Sequence, residues 1–329
     1  MKYPIVEQLT RDFPVTVICE TLDVSNSGYY AWKERPDCSR RREDLRIRAH
    51  IRAIFKKSKK TYGSPRIHRE LREQDGIRCG RKRVLRLMRQ DELKPKQVKK
   101  FRATTDSKHK HPVAPNLLDR QFEVETPNTV WLGDLTYIWT EEGWLYLAAL
   151  MDLACRRIVG WSMGERITQE LAQKALKAAF QNRRPKPGLL HHTDRGSQYA
   201  AKAYQERLES YGMTCSMSRR GNCWDNAPME SFFHSLKVER VNHRRYKTRA
   251  EAKADVFQYI EGFYNSRRLH SALDYQSPAQ YEATYFREES AENLRKSCGK
   301  LTENLPSDLS APLLPEKQPP PPEATTVLV

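Results

Sequence analysis

Three acidic side chains stand in three different local settings between residues 131 and 239. Asp134 lies in WLGDLTYI, which reads as a strand. Asp194 lies in LLHHTDRGSQY, where a short apolar run breaks into a glycine turn. Glu230 lies in GNCWDNAPMESFFHSLKVE, which reads as a capped helix, with 35 residues between it and Asp194. Two carboxylates at strand ends and a third on a facing helix can hold hard divalent cations, because Mg²⁺ or Mn²⁺ takes oxygen ligands. Two such ions ~3.5–4 Å apart clamp the attacking and leaving oxygens of an in-line displacement at phosphorus. Carboxylates so placed can hold such ions against a phosphodiester, which makes Asp134, Asp194 and Glu230 candidates for metal binding and catalysis. Asp152, on a strand, reads as structural, and Asp225, with Asn226 as the alternative, as a helix cap. His191 and His192 precede Asp194. Alternation sends one into the core and the other toward the site, which makes His192 a weak further candidate.

The elements that must position these groups follow from periodicity. Residues 129–139, 144–154 and 157–163 read as an antiparallel meander, with Glu141-Glu142-Gly143 as a tight turn. A helix over 168–182, a buried strand over 189–193, a helix over 201–211 and a strand over 214–218 follow. This is the order of a ribonuclease-H-like α/β layered domain. In it the first and fourth strands are central neighbours, which brings Asp134 to Asp194. On the next helix Pro228 fits the first turn, and Met229, Phe232, Phe233 and Leu236 face the sheet. Lys237 follows Glu230 by seven residues, on the same side and about 10 Å along the axis at 1.5 Å per residue. Its cation can meet a DNA backbone while Glu230 meets the metal. A closing helix over 250–264 precedes the motif Tyr264, Asn265, Arg267, Arg268, His270 and Pro278. Support for the active-site face, with DNA contact from Arg267 and Arg268, is the reading taken for it.

WLGDLTYI, HHTDRGSQYA, GNCWDNAPMESFFHSLKVE and YNSRRLHSALDYQSPAQY, in this order, resemble the transposases of small bacterial insertion sequences that carry a retroviral-integrase-like catalytic core. The likeness is to the product of the downstream reading frame of such an element, and it covers about residues 125–282. It implies DNA strand cleavage and strand transfer at the element's ends, with Asp134, Asp194 and Glu230 as the acidic triad. It gives Lys237 a contact to the element's end. It also implies assembly as a homo-oligomer on double-stranded DNA, and a partner from the upstream frame with a helix-turn-helix and a leucine zipper.

Charge divides the chain. The 329 residues carry +17, and residues 51–110 alone hold 21 Lys and Arg against 6 Asp and Glu, so the remainder is near neutral. So concentrated an excess points to a polyanion partner. Residues 1–36 read as a small helix-turn-helix-like unit with Val15, Val17, Ile18, Leu22 and Val24 apolar. Residues 40–93 read as three helices in the layout of a DNA-binding helix-turn-helix, in which Ser64-Pro65 opens the second. On the third, Arg81, Lys82, Arg83, Arg86 and Arg89 cover the face opposite Val84, Leu85, Leu87 and Met88. Residues 94–125 read as a basic linker whose His109 and His111 are solvated rather than metal ligands. Residues 126–282 form the catalytic core. Residues 287–329 hold seven of the nineteen prolines and no Trp or Tyr, and read as a disordered tail.

Seven scattered cysteines without a CxxC pair argue against a disulfide framework or zinc ribbon and fit a reduced, cytoplasmic, nucleoid-associated protein. The N-terminus has no continuous apolar core of a signal peptide, and the run 144–154 is too short to span a bilayer. Two other readings compete: a nuclease of the same fold that only hydrolyses, and a DNA-binding regulator without catalysis resting on residues 40–93.

Overall fold

The computed structural model describes residues 2–36, 38–96, 112–219 and 223–303. His109, His111 and the proline-rich residues beyond 303 lie outside the described residues, as does part of the expected linker. The chain divides into two units, residues 1–279 and 280–329.

Three short helices open the first unit: α1 (Tyr3–Leu9), α2 (Val15–Thr21) and α3 (Asn26–Lys33). Val6, Ile18, Cys19 and Tyr29 form their small core. Ser25 caps α3, accepting from the Gly28 amide at 3.2 Å. Val17, expected inside, is half exposed.

The helices α4 (Ser39–Lys57), α5 (Ser64–Glu73) and α6 (Arg81–Gln90) follow. Ile47, Ile51, Ile54, Ile67, Leu71, Val84, Leu87 and Met88 are buried between them. Ser64 does not cap α5: Gly63 holds that position, and Ser64-Pro65 forms the first turn. Leu85 faces outward, 38% exposed, because the buried stripe of α6 runs through Val84, Leu87 and Met88.

The sheet has five strands: β1 (Val130–Thr140), β2 (Gly143–Asp152), β3 (Ile158–Gly164), β4 (Leu190–Thr193) and β5 (Thr214–Met217). Their order is β3-β2-β1-β4-β5. β1, β2 and β3 pair antiparallel, while β4 runs parallel to both β1 and β5. The meander and the central pair read from the sequence are therefore present, with ends within two residues. One face is covered by α7 (Gln169–Arg183), α8 (Ser197–Ala200) and α9 (Lys202–Ser210) over Trp131, Ala148, Leu150 and Val159. Thr168 caps α7. Gly160 is required there, since a Cβ on it would lie 2.5 Å from the Ala175 carbonyl and the Ala179 amide. The other face packs α10 (Ala227–Glu239) and α11 (Arg249–Tyr259) over Leu132, Ile138, Leu145 and Leu147.

The closing helix ends earlier than expected, because residues 260–265 widen into a π-helical turn. Asn265, at its end, offers its amide to the β3 start. It accepts from the Ile158 N–H at 2.9 Å and donates to the Ile158 carbonyl at 3.0 Å. Tyr62, between α4 and α5, reaches the next segment: its hydroxyl donates to the Arg267 carbonyl at 3.1 Å and accepts from the Leu269 N–H at 2.9 Å. The α4–α6 bundle thus shares one apolar core with the sheet and α10.

The helix α12 (Pro278–Glu303) carries the chain into the second unit. This corrects the tail expected from residue 287. All seven tail prolines lie at or beyond Pro306, whereas REESAENLRKS is built of good helix formers. Among the described residues no helix is long and apolar enough to cross a membrane.

Candidate active site

The parallel pairing of β1 with β4 brings the first two carboxylates together. Its last matched pair is Gly133 with Thr193, so Asp134 and Asp194 are the next residue on each chain. Parallel strands lie ~4.7–4.9 Å apart. β1 continues beyond this point and β4 stops, so Asp194 enters a turn in which it accepts from the Gly196 amide at 3.0 Å. Asp134 accepts from the Leu135 amide at 2.7 Å. Close approach of the strands explains Gly133, where a Cβ would stand 2.9 Å from His191 and 3.1 Å from Thr193.

Electrostatics report the crowding. Burial pushes the Asp134 carboxyl well above the usual carboxylate range, and the negative charges of Asp194 and Glu230 push it further. Lys237 pulls in the opposite direction. Glu230 lies in the first turn of α10, on its exposed side, and partial desolvation raises it too. The start of α10 is fastened to the strand by Asn226, whose amide donates to the Gly133 carbonyl at 3.2 Å. Asn226 is a positioning residue that the sequence reading held only as a cap alternative. Among the described residues, no three His, Cys, Asp or Glu side chains are gathered closely enough to enclose a metal by themselves. The structure thus sets Asp134 beside Asp194 and places Glu230 within electrostatic range of Asp134.

Lys237 sits mostly buried, its ammonium 4.6 Å from the centre of the Tyr137 ring. Burial lowers its pKa to about 8, against the attraction of Asp134.

Several expectations are corrected here. Asp225 does not cap α10. Fully buried, it receives Arg219 at 2.8 Å, Arg120 at 2.8 Å and Asn116 at 3.1 Å, which hold it below the usual range. His192 does not face the site: it is buried between Ser216 at 2.9 Å and Ser218 at 3.1 Å, and burial lowers it to about 4. His191 lies in the core against the Tyr204 hydroxyl at 2.8 Å, lowered to about 3. Asp152 is structural as read, accepting from the backbone N–H of Asn128 at 2.6 Å and Ala154 at 3.0 Å.

The cations divide as well. Arg81, Lys82 and Arg267 are exposed. Arg83 binds Glu43 at 2.9 Å and Asp44 at 2.7 Å, and Arg86 binds Asp44 at 2.7 Å, so both staple α6 to α4. Arg268 is not a surface contact. It is buried against Glu239, with nitrogen–oxygen distances of 2.7–3.0 Å, and donates to Ser235 at 3.1 Å.

A five-stranded sheet with one aspartate within a central strand, a second just past the end of its parallel neighbour, and a glutamate on α10 is the arrangement of an integrase-type core, here behind a helical, helix-turn-helix-like region. Comparison with known proteins agrees. Residues 124–223 and 230–286 match integrase core domain models, and residues 41–101 match an HTH-like domain. The chain is 48% identical over 268 residues to an uncharacterized 31 kDa protein of insertion element IS600 from Shigella sonnei, covering 82% of this chain and 98% of that one. It is 41% identical over 284 residues to the transposase InsF for insertion sequence IS3A of Escherichia coli strain K12, covering 86% and 98%. A solved simian T-cell lymphotropic virus intasome is similar at 15% identity and a TM-score of 0.41, over 65% of each chain. The chain belongs to the insertion-sequence transposases with an integrase core.

Proposed function

We propose that this transposase cuts and rejoins DNA at the ends of its insertion sequence, with Asp134, Asp194 and Glu230 as the catalytic carboxylates. The observation that carries this is the placement of Asp134 within β1 beside Asp194 at the end of the neighbouring β4, where burial and like charge both oppose ionisation of Asp134. Such a pair is a poor arrangement for a folded protein unless a cation neutralises it. Its donors are all carboxylate oxygens, which fits Mg²⁺ or Mn²⁺. Asp134 and Asp194 would hold the metal, and Glu230, on an exposed helix face, would complete the set by a change of rotamer. When bound, two ions would polarise the phosphodiester and favour the nucleophile and the leaving oxygen.

The chain's own groups do the rest. Lys237, two turns beyond Glu230, opposes the charge of the neighbouring phosphate. Arg81 and Lys82 on α6, with the outer parts of Arg83 and Arg86, hold duplex phosphates, and Arg267 adds to them. Arg268 is omitted because its charge is spent on Glu239. Water displacing the 3′ oxygen leaves a free 3′-hydroxyl and a 5′-phosphate. That hydroxyl then displaces a 3′ oxygen in a second duplex, forming one phosphodiester as another breaks. Only the nucleophile differs, and no covalent link to the protein is needed. The active form is a homo-oligomer on the two ends, aided by the upstream-frame protein.

The test is a strand-joining assay with the purified chain, Mg²⁺ or Mn²⁺, and labelled duplexes bearing the flanking ends. Joined products with the native chain and none with Glu230→Gln support the reading. Cutting without joining favours the hydrolase. If neither protein reacts even when fused to the upstream frame, the mechanism is wrong.

A further inference from the structure

The tip of the β1–β2 hairpin carries two tryptophans that the fold leaves uncovered. Trp139 and Trp144 are paired across the ladder, their rings edge to face at 4.8 Å. Side chains of this size are normally the anchors of a core. Here they remain 57% and 42% exposed. Tyr137 extends the row, 5.0 Å from Trp144 and edge-on to it.

These rings form one wall of an open groove of about 320 Å³. The opposite wall is the segment after α10, with Asn242, Arg244, Arg245 and Tyr246. The walls are fastened together. The Glu141 amide donates to the Tyr246 carbonyl at 3.0 Å. Arg249 ties its backbone to Glu142 at 2.8 Å and its side chain to the Trp144 carbonyl at 3.1 Å. Tyr246 is itself pinned to Asp255 at 2.8 Å. The groove is therefore preformed.

Its charge is lopsided. Lys237, Arg244 and Arg245 line it against the single carboxylate of Glu141. Arg244 spends part of its charge on Asp255 at 2.9 Å, and Arg245 is exposed. Flat aromatic faces beside cations suit an unpaired nucleotide, whose base stacks while its phosphate meets the cation. A base inside a duplex has no free face to offer. Lys237, two turns along α10 from Glu230, stands over the Tyr137 ring and lines this groove, so the groove lies beside the acidic site.

We infer that the Trp139–Trp144 groove binds unpaired nucleotides of the DNA end next to the reacting phosphate, a reading that rests on the strand-transfer function proposed above. The groove favours fraying of the end, because it stacks bases that the duplex must release.

The test uses the full chain and a labelled DNA end carrying 2-aminopurine at its terminal positions, either fully paired or with a short unpaired extension. Binding of the frayed end quenches 2-aminopurine fluorescence, and the native chain binds it more tightly than the paired end. In Trp139→Ala and Trp144→Ala each lost indole lowers frayed-end affinity about tenfold, so that the ratio of frayed to paired affinity collapses toward one. Trp139→Phe and Trp144→Phe retain most of the quenching, which separates stacking from misfolding. An equal affinity of the native chain for both ends overturns the inference, as does undiminished quenching by the Ala variants. A change in oligomeric state of those variants without DNA also overturns it, since the indoles would then be packing on a second copy. Failure of the strand-transfer reading looks different: quenching and end preference persist, while the native chain neither nicks nor joins.

Discussion

Replacing Arg268 by Met should unfold the protein more readily without changing how its folded form binds DNA. Arg268 and Glu239 are 6% and 8% exposed, and three short contacts join them. Removing one partner of a buried ion pair typically costs ~3–5 kcal/mol, because the other charge is stranded. Glu239 retains the Tyr259 hydroxyl at 2.8 Å and Arg66 at 3.9 Å, which places the loss near the lower end, about 3 kcal/mol. Urea denaturation at pH 7 reads that loss directly. Glu239→Gln alone should cost a similar amount. The double variant Arg268→Met with Glu239→Gln should cost about 2 kcal/mol less than the two singles added, since neither charge is then stranded. The same variants, measured folded, should keep the salt dependence of DNA binding. The reasoning is refuted if Arg268→Met holds its stability and the slope of log affinity against log salt falls by about one, the mark of a lost phosphate contact.

Other outcomes follow from the same geometry. Asp134→Asn should raise the melting temperature in chelator, since it removes a desolvated charge beside Asp194, and Mg²⁺ should then stabilise it less than it stabilises the native chain. An Asn variant that melts lower in chelator would contradict this. Gly160→Ala should cost about 3 kcal/mol in denaturant unfolding, because its Cβ meets the backbone of α7 rather than a side chain that can move. Acid should weaken the fold through His191. Its folded pKa, about 3, is below the unfolded 6.5, so its contribution is whole above pH 6.5 and is lost as pH falls toward 3, about 2 kcal/mol by pH 5. His191→Gln, compared by urea midpoint at pH 7 and pH 5, should lose less across that interval than the native chain.

Much of the core was legible because its signals are local. Alternation marked β1, the Gly-rich turn ended β4, and Asn226-Ala227-Pro228 opened α10, so Asp134, Asp194 and Glu230 could be placed on elements before any contact was known. Side-chain partners were not legible in the same way. Asp225 looks like a cap from its place before a helix, yet Arg120, more than a hundred residues earlier in the chain, claims it. His192 alternates out of phase with His191, but Ser216 and Ser218 on and after β5 bury it as well. Arg83 and Arg86 read as a phosphate-facing stripe until Glu43 and Asp44 of α4 are brought against them. In each case a side chain was given a local role because its partner was distant in sequence.

The C-terminal signature shows the same limit from the other side. Tyr264, Asn265, Arg268 and Leu269 carry no chemical step, and no local pattern explains them. Asn265 completes the hydrogen bonding of Ile158, Arg268 neutralises Glu239, and the backbone at Arg267 and Leu269 receives Tyr62. Glu239 closes the helix that Glu230 opens. Its carbonyl also accepts from Lys96 at 2.8 Å, just beyond α6. α10 is therefore held at one end by Asn226 on β1 and at the other by the signature and the residues flanking the α4–α6 bundle. The signature's place in the fold is structural: with Tyr62 and Arg66 it ties the α4–α6 bundle to the helix that carries Glu230 and Lys237.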